Sequence, residues 1–370
     1  MRIVHVVETL ERGGLERVVV DLCNGQRAAG HEVSVLCIFR LGTLAAELAA
    51  AGIPVHCVHK GIGLDPRAIW RLRAFLRSSR ADVVHAHNAA ATYLVALAGL
   101  LLGRRHALLS TRHGMGELRR GSRKERLFGW AVRRCAAVVT VCEAARRQFL
   151  QAGLVGAGQV VVICNGIRTD EIIEATSTAR TQARQALGLS PADFVVGSVG
   201  RLNWAKDYGL LIAAFGSALA QSSATLVLVG DGGEKAALQA VAADKGLADR
   251  VRFLGDRSDV RAILPAFDVF CLSSRTEGYS IALLEAATAG LALVATEVGG
   301  NAEIVRAEVT GLLVPAGDER ALAGALQAMW SDSELRGRLA RNAREWALRQ
   351  ATVEAMVNGY LQLYARFLKP

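Results

Sequence analysis

Short apolar runs alternate along the chain with longer segments whose apolar positions recur at helical spacing. In the first half, residues 2–7, 32–39, 53–58, 82–86, 107–111, 136–141 and 160–164 read as strands. Their near-continuous hydrophobicity fits strands buried on both faces of a parallel sheet. Between them, 15–29, 44–50, 66–77, 89–102 and 125–134 read as helices, with Gly30 and Gly52 as stops. The pair Asn165-Gly166 and the polar stretch 168–180 then mark a boundary. Beyond it the pattern restarts, with strands at 194–199, 225–229, 251–254, 267–272, 291–296 and 311–314. The helices between them fall at 208–220, 234–245, 260–264, 281–289 and 301–305, followed by helices at 321–329, 333–348 and 352–367. Such alternation predicts an α/β fold of two doubly wound, Rossmann-like domains, with a cleft between them as the default ligand site. The domain limits read as 1–167 and 168–350. The closing segment 351–370 carries Val357, Tyr360, Leu361, Tyr364 and Phe367 on one helical stripe, suited to docking back on a domain.

Charge sharpens this picture. The net charge of +10 is confined to the first half: residues 1–180 hold 25 basic and 14 acidic side chains, the remainder 19 and 20. An anionic partner for the first domain follows, either a phosphorylated acceptor or an anionic membrane surface, with Arg119-Arg120-Gly121-Ser122-Arg123-Lys124 as its densest stretch. No nucleic-acid motif accompanies the charge. Seven scattered cysteines without a C-x-x-C pair support neither a disulfide framework nor a zinc site, and they point to a reducing cytoplasm. The apolar stretch 89–102 is too short to span a bilayer.

Candidate chemistry gathers on the loops that follow strands. Glu277 precedes and Glu285 lies within the helix 281–289, so two carboxylates bracket a helix N-terminus whose free N–H groups suit an anion. Gly278, Tyr279 and Ser280 make up the loop between Glu277 and that helix. Arg201 and Lys206 follow the strand 194–199, five positions apart, and form a pair of cations able to flank a diphosphate. Gly13-Gly14 follows the first strand and allows close backbone approach to a phosphate, without the G-x-G-x-x-G spacing of a dinucleotide site. His113 follows the strand 107–111, where an imidazole can orient or polarise a substrate. His85 and His87 share one face of a strand, but no further metal ligand is evident near them. Gly299-Gly300-Asn301-Ala302-Glu303 forms another strand-to-helix turn.

These motifs, in this order, resemble the retaining nucleotide-sugar glycosyltransferases of family 4, with their two-Rossmann B-type fold. The match runs through Gly13-Gly14, Ser110-Thr111-Arg112-His113-Gly114, Asn165-Gly166-Ile167, Arg201 with Lys206, Phe253-Leu254-Gly255, Glu277 with Glu285, and Gly299-Gly300 with Glu303. The resemblance implies that Glu285 binds the donor ribose, Arg201 and Lys206 the diphosphate, and Glu277 the hydroxyls of the sugar. It places the backbone of Gly278 to Ser280 and Gly14 at the phosphates, His113 beside the reacting sugar, and Phe253 and Leu254 at the nucleobase. It implies that the final helix crosses back to the N-terminal domain, and that no metal or cofactor is needed, the nucleotide sugar being a substrate. Arg168 departs from the family pattern, in which an Asp is common after Asn-Gly-Ile; Asp170 stands nearby. The implied activity is transfer of a sugar to an acceptor hydroxyl in polysaccharide or glycolipid assembly, similar to the transferases of bacterial exopolysaccharide clusters. The enzyme would be cytoplasmic and peripheral to the membrane. A nucleotide-sugar epimerase or a non-catalytic nucleotide-sugar binder would need the same donor loops.

Overall fold

The computed structural model describes residues 1–100, 106–114, 123–220 and 222–368. The chain separates into two compact units, Met1–Gly166 with Val353–Pro370, and Ile167–Thr352. Unit 1 contains β1 (Arg2–Val7), β2 (Glu32–Cys37), β3 (Val55–Cys57), β4 (Val83–His87), β5 (Ala107–Arg112), β6 (Ala137–Thr140) and β7 (Val160–Val162), paired in the order β3-β2-β1-β4-β5-β6-β7. Unit 2 contains β8 (Val195–Val199), β9 (Thr225–Val229), β10 (Val251–Phe253), β11 (Val269–Leu272), β12 (Ala292–Thr296) and β13 (Leu312–Val314), in the order β10-β9-β8-β11-β12-β13. Neighbouring strands in both sheets run parallel. Strands such as β4 and β9 are buried along their whole length, as layers of helices on both faces require.

In unit 1 the helix Gly14–Ala28 buries Val18, Val19, Leu22 and Cys23, and the closing helix Val353–Ala365 packs against it. A Cβ on Gly25 would stand 2.5 Å from Val357 Cγ2, so this glycine sets how closely the two helices approach. The buried stripe of the closing helix includes Val357, Tyr360 and Tyr364 as its periodicity predicts and adds Val353, Met356 and Leu363, whereas Leu361 and Phe367, also expected on it, are only half-buried, Phe367 lying past the helix end. No helix among the described residues is long and apolar enough to cross a membrane.

Two helices are not announced by apolar periodicity. Glu143–Gln151 buries only Ala145 and Phe149, and its N-terminus is capped by Cys142, whose Sγ accepts from Ala145 N at 3.4 Å. Ser177–Ala186 begins inside the polar stretch 168–180 that reads as a linker, capped by Thr176. Ion pairs do the work of an apolar face here. Arg180 and Arg184 donate to the two oxygens of Asp268 at 2.8 and 2.6 Å, and Val195 N donates to the same carboxylate at 2.8 Å. Asp268 thus ties a helix, the start of β8 and the approach to β11 together. The Arg184 side chain is only 4% exposed, so removing its partner leaves a charge in the interior. Asp268→Ala should therefore cost about 3–5 kcal/mol in urea unfolding of unit 2. A loss below about 1 kcal/mol would show that other contacts hold the helix.

Candidate functional site

The order of the unit 2 sheet reverses between β8 and β11, and the crevice at such a switch point is where open α/β sheets bind ligands. The loop after β8 carries Arg201 and Lys206; the loop after β11 carries Ser274 and Glu277. They are stitched to each other. Arg275 N donates to Ala205 O at 2.8 Å, and Ser273 Oγ lies within bonding distance of both Lys206 O and Asp207 O. Asp207 adopts left-handed backbone (φ 48°), and its carboxylate pairs with Arg275 at 2.8 Å.

Lys206 Nζ donates to Glu277 Oε1 at 2.5 Å, and Ser274 Oγ donates to the same oxygen at 2.6 Å. The pair is mostly buried, with 19% and 11% of the two side chains exposed. Two residues with separate expected roles, on the diphosphate and on the sugar, therefore form one bonded unit. Arg201 is exposed on the same loop. Ser274 and the Asp207–Arg275 pair escape the sequence reading, in which Ser273-Ser274 merely ends a strand. The only signal for Ser274 is its place three residues before Glu277.

Glycines let the neighbouring loops close on this unit. A Cβ on Gly299 (φ 54°) would lie 1.9 Å from Glu277 O, while Gly300 N donates to Gly278 O at 2.8 Å. The Gly299-Gly300 turn thus braces the Glu277 loop. Likewise, a Cβ on Gly230 would lie 2.0 Å from Gly200 O, and Gly230 N donates to Gly255 O at 2.8 Å. This contact brings Phe253, Leu254 and Gly255, at the end of β10, beside the loop after β9. Ser280 caps the helix Ile281–Thr288 by accepting from Leu283 N, Tyr279 is buried, and Glu285 is the fifth residue of that helix.

In unit 1, Gly13 is extended and precedes the helix Gly14–Ala28. A Cβ there would meet the Glu16 carboxylate at 2.3 Å, so Glu16 folds back over this helix start. His113 follows β5 and is the outer member of a file of imidazoles. Its Nε2 lies 3.0 Å from His87 Nδ1; His87 Nε2 lies 3.0 Å from His5 Nδ1; and His5 Nε2 lies 2.8 Å from Gln26 Oε1. His85 bonds to Tyr364 Oη and Thr111 Oγ1, each at 2.6 Å. The reading that His85 and His87 have no further ligand type beside them is corrected by His5, which parallel pairing of β1 with β4 sets directly opposite His85. Ring nitrogens of His5, His85 and His87 all lie within 4.8 Å of one another. They are engaged with protein partners, which a metal ion would have to displace. Burial pushes His5 down to about 4 and His113 to about 4, the latter opposed by the Asn165 side chain. His85 and His87 fall well below the usual range through burial, and then through His5 and His113 for His85 and chiefly through His85 for His87.

Residues 12–171 match the family described as Glycosyltransferase Family 4, and residues 179–346 that described as Glycosyl transferases group 1. The chain belongs to the family 4, group 1 glycosyltransferases. This glycosyltransferase is 37% identical over 192 residues to the lipopolysaccharide core biosynthesis glycosyltransferase LpsE of Rhizobium meliloti; the match covers 51% of this chain and 56% of LpsE, about half of that relative's length. It is 26% identical to an Escherichia coli UDP-Gal:alpha-D-GlcNAc-diphosphoundecaprenol alpha-1,3-galactosyltransferase, over 84% of this chain and 82% of that one. Among solved structures it superposes on Anabaena HepE in complex with UDP and glucose with a TM-score of 0.88, at 25% identity and over 99% of both chains. Its two Rossmann-like units are those of the B-type glycosyltransferase fold.

The histidine file makes the stability of the glycosyltransferase depend on pH. Unfolded imidazoles titrate near 6.5, whereas His5 and His113 stay neutral in the fold down to about 4. Between those values the unfolded chain binds protons that the native chain does not, so stability is full above about 6.5 and falls as the pH drops. The slope is about 1.4 kcal/mol per pH unit for each such histidine. Urea midpoints measured at about pH 7.5 and about pH 5 should fall accordingly; equal midpoints would mean that the native rings take up protons.

Proposed function

We propose that this glycosyltransferase moves a sugar from a nucleoside diphosphate donor to a hydroxyl of a growing polysaccharide or lipid-linked saccharide, retaining the anomeric configuration. The bonded unit of Lys206, Glu277 and Ser274, beside Arg201 at the switch point of unit 2, carries this reading. As the bond from sugar to phosphate breaks, negative charge grows on the diphosphate; Lys206 and Arg201 neutralise it without calling for a metal. Glu277 holds Lys206 in place and accepts from a sugar hydroxyl. Glu285 accepts from the ribose, Gly278 to Ser280 and Gly14 approach the phosphates, and Phe253 with Leu254 borders the base. Uridine is the favoured base, because HepE was solved with UDP. A carboxylate oxygen that already accepts from an ammonium and a hydroxyl is a poor nucleophile. That supports attack on the face the leaving phosphate departs from, rather than double displacement through Glu277. Lys206→Ala should lower turnover about a hundred- to a thousand-fold, with circular dichroism unchanged. Incubation of the wild-type protein with a panel of nucleotide sugars and membrane extract should give acceptor-dependent labelling with release of nucleotide. Unaltered turnover in the variant sinks the phosphate role; a sugar epimer formed without nucleotide release would favour an epimerase instead.

The acceptor side of the reading includes an anionic membrane, in keeping with the lipid diphosphate named for the E. coli relative. The stretch 119–122 and the side chains of Arg123 and Lys124 lie outside the described residues. Another face of unit 1 fits the role. Ile62 and Leu64, on the loop before the helix Pro66–Ser79, are fully exposed, and Trp70 is 70% exposed. Arg67, Arg71 and Arg77 are exposed on the same helix, while Asp65 is occupied as its N-cap. Apolar side chains that insert beside cations that meet phosphates are the makings of an interfacial anchor. The protein should sediment with vesicles containing phosphatidylglycerol at low salt, less so at high salt, and several-fold less when Ile62 and Leu64 are both changed to Ser. Equal sedimentation of the double variant would rule this face out.

A further inference from the structure

The family resemblance sets His113 beside the reacting sugar, and three more buried histidines, His5, His85 and His87, stand behind it. Their bonds run in one direction. An amide oxygen can only accept, so Gln26 Oε1, at 2.8 Å, requires the hydrogen of His5 to sit on Nε2. A neutral imidazole carries one N–H, so His5 Nδ1 must accept, and His87 Nε2 donates to it across 3.0 Å. The same step repeats once more: His87 Nδ1 accepts from His113 Nε2, also at 3.0 Å. What remains on His113 is the lone pair at Nδ1, an atom shielded from solvent and without a bond of normal geometry, although the Asn165 side chain lies close enough to interact with the ring.

The other end of Gln26 supports this orientation. Its Nε2 faces Tyr364 Oη at 3.5 Å, and that hydroxyl is 2.6 Å from His85 Nδ1. His85 Nε2 then donates to Thr111 Oγ1 at 2.6 Å, and Thr111 reaches Tyr360 Oη at 3.1 Å. Along this branch each donor meets an acceptor.

We propose that the file Gln26–His5–His87–His113 is a tautomer lock, which holds the hydrogen of His113 on Nε2 and keeps its Nδ1 lone pair ready to accept from a substrate hydroxyl. The lock rests on reading His113 as the residue that faces the sugar. Gln26, His5 and His87 are positioning residues. They are not a proton wire, because the inner end is an amide with no basic site. A proton entering at His113 would be stranded on His5, deep in unit 1, where burial strongly disfavours charge.

Nitrogen-15 NMR of the intact protein, labelled on histidine, tests the lock without any substrate. His113, assigned by loss of its signals in His113→Gln, should show a protonated Nε2 and an unprotonated Nδ1. In Gln26→Leu and in His5→Phe the Nδ1–H form should appear. Turnover of the nucleotide sugar picked out by the panel should drop roughly tenfold with its KM unmoved, as one mis-set hydrogen bond predicts. A wild-type spectrum with the hydrogen on Nδ1 overturns the proposal. So does one zinc per chain bound by His5, His85 and His87, or a Gln26→Leu protein with both spectrum and kcat unaltered. The expected spectrum together with full activity in Lys206→Ala would leave the lock standing and the proposed function refuted.

Discussion

Backbone lying directly on backbone is the constraint on which the unit 2 site depends. A parallel sheet delivers the carboxyl ends of all its strands to one edge, so the loops there crowd each other. Gly230 and Gly299 mark the two tightest approaches, where any side chain would overlap the carbonyl oxygen of Gly200 or of Glu277. Because these turns admit no Cβ, the loop after β9 locks the one after β8, and the loop after β12 locks the one after β11. Lys206 and Glu277 are then left facing each other across the switch point. The ion pair is a consequence of that crowding, and so is the placement of Ser274.

Unit 1 solves a different problem. Its sheet carries imidazoles into a face that helices cover completely, and polar groups so buried must find partners. His5 and His87 bond to each other and, beyond that, to Gln26 and His113, whereas both partners of His85 come from outside the histidine file. It finds one of them in Tyr364, whose helix closes the chain. Tyr360 reaches Thr111 in the same way. The closing helix therefore brings hydroxyls as well as apolar surface to unit 1, and its loss would leave His85 unsatisfied.

Much of this was legible in the residues. Strands buried on both faces announce themselves as apolar runs, and the strand-end loops carry the Gly, Arg, Lys and Glu that identify the family. What periodicity misses are elements held by charge. The helix Ser177–Ala186 has no apolar stripe, because its inner face is made of Arg180 and Arg184 bonded to Asp268, more than eighty residues away. The bond from Lys206 to Glu277 spans 71 positions and depends on β8 lying next to β11. His5 likewise becomes a partner of His87 only once β1 pairs with β4 in a particular register, and a shift by one residue would turn it to the opposite face.

The Lys206–Glu277 pair also bears on how a donor would be received. An ammonium that is largely buried and unpaired would lose part of its hydration with nothing in return. Glu277 supplies that return and fixes the direction of a long flexible side chain, so less entropy is lost when a phosphate arrives. An ammonium has three hydrogens, and the bond to Glu277 uses one of them. The remaining hydrogens can meet phosphate oxygens without breaking the pair, while Ser274 stays on the carboxylate. On the proposed function, the charge that grows on the leaving diphosphate strengthens the contact to Lys206 in the transition state more than in the ground state. That difference, rather than the strength of the resting ion pair, is what accelerates transfer.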